Sequence, residues 1–292
     1  MRPRDVALAL LVVVLWGVNF AVIKVGLHGI SPFVLGGLRM VFTAFPAILL
    51  VERPHLPFRV FAGFALTSFL GQFGLLFLAI KIGMPSGLAS VVQQSQVFFT
   101  VLLVALVFGE RPRPAQLAGT FVAALGLSVI GAQSGASFPL AGFVLTILAA
   151  AVWAVGNLVS RSLSRHGPVN GLAFVVWSAL IPPVPFFALA RLAEGPGTIG
   201  ASFRAMDARS WAAVGYLAFG ATLGGFGLWN GLLKAYPAAQ VARFALLVPV
   251  IGLGCGTVFF AEPLGTAQLA GSALVVLGVG LPVAAMWVER RG

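Results

Sequence analysis

Ten stretches of mostly apolar residues follow one another along the chain, each near the roughly 20 residues a helix needs to cross the hydrocarbon core of a bilayer. They run over about 5–26, 32–51, 59–81, 85–108, 114–131, 139–160, 168–191, 210–233, 238–260 and 264–288. No other feature constrains the fold so far. A backbone in lipid must satisfy its own N–H and C=O groups, and runs of this length do so as helices. The composition agrees: 60% of the 292 residues are hydrophobic and 9% are charged, against about 25% charged in a soluble domain. A water-soluble enzyme, a nucleic-acid-binding domain and a disordered chain are disfavoured on those figures. The net charge of +11 comes from 18 Lys and Arg scattered in ones and twos, with no basic stripe to follow a phosphate backbone.

Short separators punctuate the spans, among them Ser31-Pro32, Arg53-Pro54, Met84-Pro85, Arg111-Pro112, Tyr236-Pro237 and Glu262-Pro263. Proline is tolerated at the first turn because its missing N–H had no partner there. The connection over 192–209 is longer, rich in Gly and small residues, and reads as a surface loop. The first span is read as part of the mature protein, since its apolar run is longer than the 7–15 residues of a signal peptide and no small-residue cleavage site follows. One Cys and three scattered His predict neither a disulfide framework nor a metal site, and no cofactor is expected.

Placing the N-terminus inside puts Arg2, Arg4, Arg53, Arg59, Arg111, Arg113, Arg161, Arg165, Lys234, Arg290 and Arg291 on the cytoplasmic side. The other side then holds Lys24, Lys81, Arg191, Arg204 and Arg209, a ratio of 11 to 5 that predicts both termini in the cytoplasm of an inner (plasma) membrane protein.

The chain also repeats itself. FGERPRPAQLAG (108–119) aligns with FAEPLGTAQLAG (260–271) at an offset of 152, with Pro85 against Pro237 and Gly126 against Gly278 in the same register. WGVNFAVIK (16–24) aligns more weakly with WAVGNLVSR (153–161) at an offset of 137, so that Lys24 meets Arg161. The two halves are therefore 1–135 and 136–292, five spans each. Five is odd, so the second half enters the membrane from the opposite side, and the halves are inverted about an axis in the membrane plane. Inverted repeats are a recurring transporter architecture, with substrate near the midplane between the halves.

On these residues the chain resembles the EamA family of the drug/metabolite transporter superfamily: ten spans, a five-plus-five duplication, WGxNF followed by Lys24 in span 1, and FGE-x-AQ-x-x-G between spans 4 and 5 with its echo between spans 9 and 10. Within it, the chain looks most like bacterial inner-membrane exporters of aromatic amino acids. The resemblance implies an all-α fold with a central cavity walled by spans 1, 3, 4, 6, 8 and 9, and spans 5 and 10 at the periphery.

Polar residues inside spans are costly and are functional candidates. Span 4 carries Gln93, Gln94, Ser95 and Gln96, and Ala89, Gln93, Gln96 and Thr100 fall on one helical face. Trp16 with Asn19, Trp153 with Asn157, and Trp229 with Asn230 set an aromatic ring beside an amide, a pairing suited to an amino acid or a flat cation. Gln72 lies one turn from Ser68 in span 3. These, with Arg243 to meet a carboxylate, are the candidate substrate-binding residues. Arg39 is the other charge inside a span and is expected to snorkel toward the headgroups. Lys24, Lys81 and Lys234 read as interfacial anchors. Glu110 and Glu262, matched in the repeat, are expected to fix their loops or cap the following helix.

No span holds Asp or Glu at its middle, which predicts facilitated transport, since a proton-coupled site usually needs a buried carboxylate. No HExxH, GxSxG or GxxxxGK[ST] motif occurs, which argues against an enzyme or an ATP-driven pump. The expected activity is export of amino acids and related metabolites by alternating access. The expected partners are a small-molecule substrate and the lipid bilayer, with no nucleic acid and no obligate protein. The rival readings are an exporter of organic cations or drugs, a membrane sensor that moves nothing, and a lipid-moving protein.

Overall fold

The computed structural model describes residues 1–163, 167 and 169–288, with all their side chains except those of 238, 239 and 286–288. The expectations placed on Arg165, Arg290 and Arg291 lie outside the described residues. Among the described residues there are ten helices long and apolar enough to span a membrane, and no strand. They are α1 (Pro3–Gly26), α2 (Pro32–Ala44, with a 3₁₀ turn to Leu49), α3 (Phe58–Lys81), α4 (Ser86–Phe108), α5 (Pro114–Gly131), α6 (Leu140–Ser162), α7 (Gly171–Glu194), α8 (Ala208–Ala235), α9 (Ala238–Phe260) and α10 (Thr266–Val288).

Their boundaries follow from backbone chemistry. Ser31 caps α2 by accepting hydrogen bonds from the N–H groups of Phe33 and Val34, two of the donors a helix start leaves unpaired. The α-helical part of α2 stops at Ala44 rather than near residue 51, because Pro46 has no N–H to continue the ladder. In α7, Gly171–Ser178 and Pro183–Glu194 are separate helical pieces, broken at Pro182 and Pro183, which supply no N–H to continue the first. The connection expected as a loop over 192–209 is not wholly one. After Gly195 turns the chain at φ +108°, Thr198–Ala205 forms a two-turn helix, and its Ser202 hydroxyl accepts from the Ser31 N–H at 3.1 Å.

Four further spans are irregular, and they pair up in the repeat register. In α3 a π-helical stretch covers Ala65–Gly71, and in α8 another covers Tyr216–Gly224. α4 tightens into a 3₁₀ turn at Gln93–Ser95. α9 is interrupted at Leu246-Leu247, between Ala238–Ala245 and Val248–Phe260. Adding 152 to the first member of each pair lands on the second. Mid-helix departures of this kind cluster at functional sites, and periodicity alone had not signalled them.

Close packing uses glycine where backbones meet. α5 and α10 cross with Gly119 against Gly278 and Gly126 against Gly271. The 152 register matches Gly119 to Gly271 and Gly126 to Gly278, so either contact becomes the other when the halves are exchanged. Gly36 of α2 faces the ring of Phe186 in α7, where a Cβ would lie 2.7 Å from the ring. At Gly252 and Gly256, α9 is pressed against Ser90 and Gly87 of α4.

Candidate functional site

The irregular spans gather the polar candidates. Around the α4 turn, the Asn157 amide on α6 donates to Gln96 Oε1 at 2.7 Å and to Thr100 Oγ1 at 3.0 Å. Gln96 and Thr100 thus share a face, as the spacing predicted. Gln93 is buried, yet neither end of its amide has a hydrogen-bond partner. Ser95 and Ser68 are buried with free hydroxyls, and Asn19 Oδ1 is likewise unpartnered. An unpaired buried amide costs about 1–3 kcal/mol, so several in adjoining spans form a reservoir of unmet hydrogen-bonding capacity.

The aromatic candidates assemble separately. Trp16 of α1 lies 5.1 Å from Trp229 and 5.7 Å from Phe226 of α8, centroid to centroid. Its indole N–H donates to the Ala221 carbonyl at 3.0 Å, a carbonyl inside the π-helical stretch. The π turn therefore orients the Trp16 ring. Asn230 is turned away from this cluster and lies against Gly171, the first residue of α7. Gln72 is buried in α3, while Trp153 and Arg243 are half-buried. Among the described residues Trp153 forms no ring pair, and Arg243 lies over the ring of its neighbour Phe244 at 5.3 Å.

Two expectations about charged groups, those for Arg39 and Glu262, are corrected. Arg39 does not snorkel: it is buried, donates from Nε and Nη2 to Thr222 Oγ1 at 3.2 and 3.1 Å, and lies 4.0 Å over the Phe73 ring. Lys24 and Lys81 lie in the last turns of their helices, and each also has a partner in the protein. Lys81 donates to the Leu27 carbonyl at 2.8 Å, and Lys24 pairs with Glu262 at 2.7 Å. Glu262 does not cap the helix that follows it. It reaches the start of α4, where Oε1 accepts from the Ser86 N–H and hydroxyl and Oε2 accepts from the Gly87 N–H, each at 2.9 Å.

The next helix is served by the glutamine of the AQLAG motif instead. Gln268 Oε1 accepts from the Gly265 N–H at 3.0 Å, and Gln116 Oε1 does the same for the Arg113 N–H at 2.8 Å. Burial pushes the Glu262 carboxyl up, but the hydrogen bonds from Lys24, Gly87 and Ser86 outweigh it and hold the pKa below the ordinary glutamate value. Among the described residues no group of three or more His, Cys, Asp or Glu could hold a metal ion.

Ten membrane-length helices, several broken near their middles and carrying buried polar groups without partners, are the architecture of a multi-pass membrane transporter. The sequence profile of the EamA-like transporter family matches the chain over residues 4–132 and again over 140–283. The chain belongs to that family. It is 45% identical to a "Probable amino-acid metabolite efflux pump" of Salmonella typhimurium, over 99% of this chain and 98% of the relative. A protein of the same description from Escherichia coli strain K12 is 43% identical, over 97% and 96%. A solved structure with 21% identity superposes with a TM-score of 0.66 over 99% of both chains, a likeness of fold.

Proposed function

We propose that the protein exports amino acids and related metabolites, aromatic ones included, by facilitated alternating access between two inverted five-helix halves, 1–135 and 136–292. The observation that carries this reading is Gln93, a buried amide with no partner at either end, set at the break in α4 one turn from the Gln96–Asn157 bond. A zwitterion offers both the donors and the acceptors such an amide lacks. Gln93, Gln96, Asn157 and Asn19 bind the polar end of the substrate, and Trp16 and Trp229 take its side chain. Gln72, Trp153 and Arg243 complete the lining, and Asn230 belongs to the seam with α7. The names of the bacterial relatives support the substrate class. The absence of a mid-span carboxylate supports facilitation, and the Lys and Arg distribution supports termini in the cytoplasm.

The test is flux. Purified protein is reconstituted into liposomes, and labelled phenylalanine and threonine are followed with and without a proton gradient. The expected result is uptake above empty liposomes that ignores the gradient. Gradient-dependent uptake overturns facilitation. No uptake by folded protein overturns the substrate class and shifts the search to organic cations.

A further inference from the structure

The structure is not the same at its two membrane faces, although the sequence register makes their parts equivalent. At the end of α1, Lys24 lies 4.6 Å over the Phe260 ring and pairs with Glu262. At the end of α6, Arg161 lies 4.9 Å over the Phe108 ring and pairs with Glu110 at 2.6 Å. Phe108 and Glu110 become Phe260 and Glu262 on adding 152. The clusters are thus the same three-residue device, built twice.

Their surroundings differ. The Glu262 side chain is 6% exposed, and that of Glu110 is 52% exposed. Glu262 also binds two backbone N–H groups of α4, whose first seven residues are all buried. In the matching segment of α9, Gln240–Ala245, only Val241 is buried. A size difference accounts for the asymmetry. Gly252 and Gly256 let α9 close on Ser90 and Gly87, and Glu262 Oε2 fills the space beside Gly256. The residues in register with Gly252 and Gly256 are Thr100 and Val104, which carry the side chains that the two glycines lack.

We infer that Glu262 is a latch. Held by Lys24, it clamps the start of α4 to the end of α9 and keeps that face shut. Release of Glu262 from Ser86 and Gly87 is then the step that opens the shut face. The inference rests on the alternating-access reading for its place in transport.

The test reads the α4–α9 seam directly. In a Cys255→Ser background, Ser90→Cys is labelled with a membrane-impermeant maleimide, with Thr146→Cys, buried in α6, as the reference. Ser90→Cys labels slowly in the parent. Glu262→Gln is expected to raise its rate at least tenfold, and Glu110→Gln to leave it within twofold. The charge-swapped pair Lys24→Glu with Glu262→Lys restores the ion pair, but an ammonium accepts nothing from the α4 N–H groups, so it is expected to label as fast as Glu262→Gln. An unchanged rate in Glu262→Gln, an equal rise in Glu110→Gln, or equal acceleration at Thr146→Cys overturns the latch. Fast labelling in Glu262→Gln of a protein whose parent moves no amino acid supports the latch and overturns the transport reading.

Discussion

Gly126 of α5 and Gly271 of α10 meet backbone to backbone: a Cβ built on Gly126 would stand 2.5 Å from the Gly271 carbonyl oxygen and 2.8 Å from the Val275 nitrogen. Backbone atoms on a regular helix cannot yield as a flexible side chain can. Gly126→Ala is therefore expected to separate the two helices and cost about 1–3 kcal/mol, the usual range for overpacking. It is measured as a lowered thermal midpoint in detergent. Gly254→Ala is the control. Nothing lies within 4 Å of its added Cβ, and alanine is the better helix former by up to about 1 kcal/mol. Loss of stability in both variants would show that the crossing is not the cause.

Function and stability are expected to part at Gln93. Replacing it with Leu removes an amide whose two polar atoms are buried and unpartnered. The folded protein gains stability, by about 1–2 kcal/mol after the penalty such groups carry. Amino acid flux in liposomes falls at least tenfold. A packing glutamine gives the opposite pattern, with stability lost and flux of the surviving protein kept.

Glu262 gives a pH signature. Its pKa in the folded protein lies below that of a free glutamate, near 4.3, because the bonds from Lys24, Ser86 and Gly87 favour the charged form more than burial disfavours it. The sign follows by linkage: the stabilisation is complete above the ordinary glutamate pKa and is lost as pH falls through the lowered one. Glu262→Gln is expected to cost about 1.5–3 kcal/mol at neutral pH, as for hydrogen bonds to a charged group, and to flatten the acid limb of the stability curve. Glu110→Gln, whose partners are about half exposed, is expected to cost less than about 1 kcal/mol. Unfolding midpoints from pH 3 to pH 7 on the three proteins decide it.

Ala261 ends α9 in the left-handed region at φ +49°, where its counterpart Gly109 ends α4 at φ +67°. Left-handed backbone costs a residue with a Cβ about 1–2 kcal/mol. Ala261→Gly relieves that cost against a looser unfolded chain, so a net gain of up to about 1 kcal/mol is expected. A lowered midpoint would mean that the alanine methyl group is held by packing that outweighs the strain.

The spans and the repeat were legible in the sequence because both rest on local or linear signals. Apolar length sets the number of helices, and FGERPRPAQLAG against FAEPLGTAQLAG sets the register. The Gln96, Thr100 and Asn157 cluster was half legible: spacing put the first two on one face, but nothing in the sequence said that Asn157 would meet them. Trp16 and Trp229 were each candidates, and their contact across α1 and α8 was not legible. The π turns left no periodic signal, because one extra residue in a turn shifts an apolar stripe too little to see in a span that is apolar all round.

By itself, then, the sequence determined ten membrane-length helices, two matched halves and the residue types available for a site, since hydrophobic length and repeat register are properties of the chain. Tertiary structure decided what the charges do. Glu262 was expected to serve its own loop and instead binds α4, 176 residues away along the chain from Ser86. Arg39 was expected to reach outward and instead lies between Thr222 and Phe73. The reason is the same in each case. A charge at or within the hydrocarbon is stabilised by the nearest polar group or ring in space, and which group is nearest depends on how closely glycines let the helices approach.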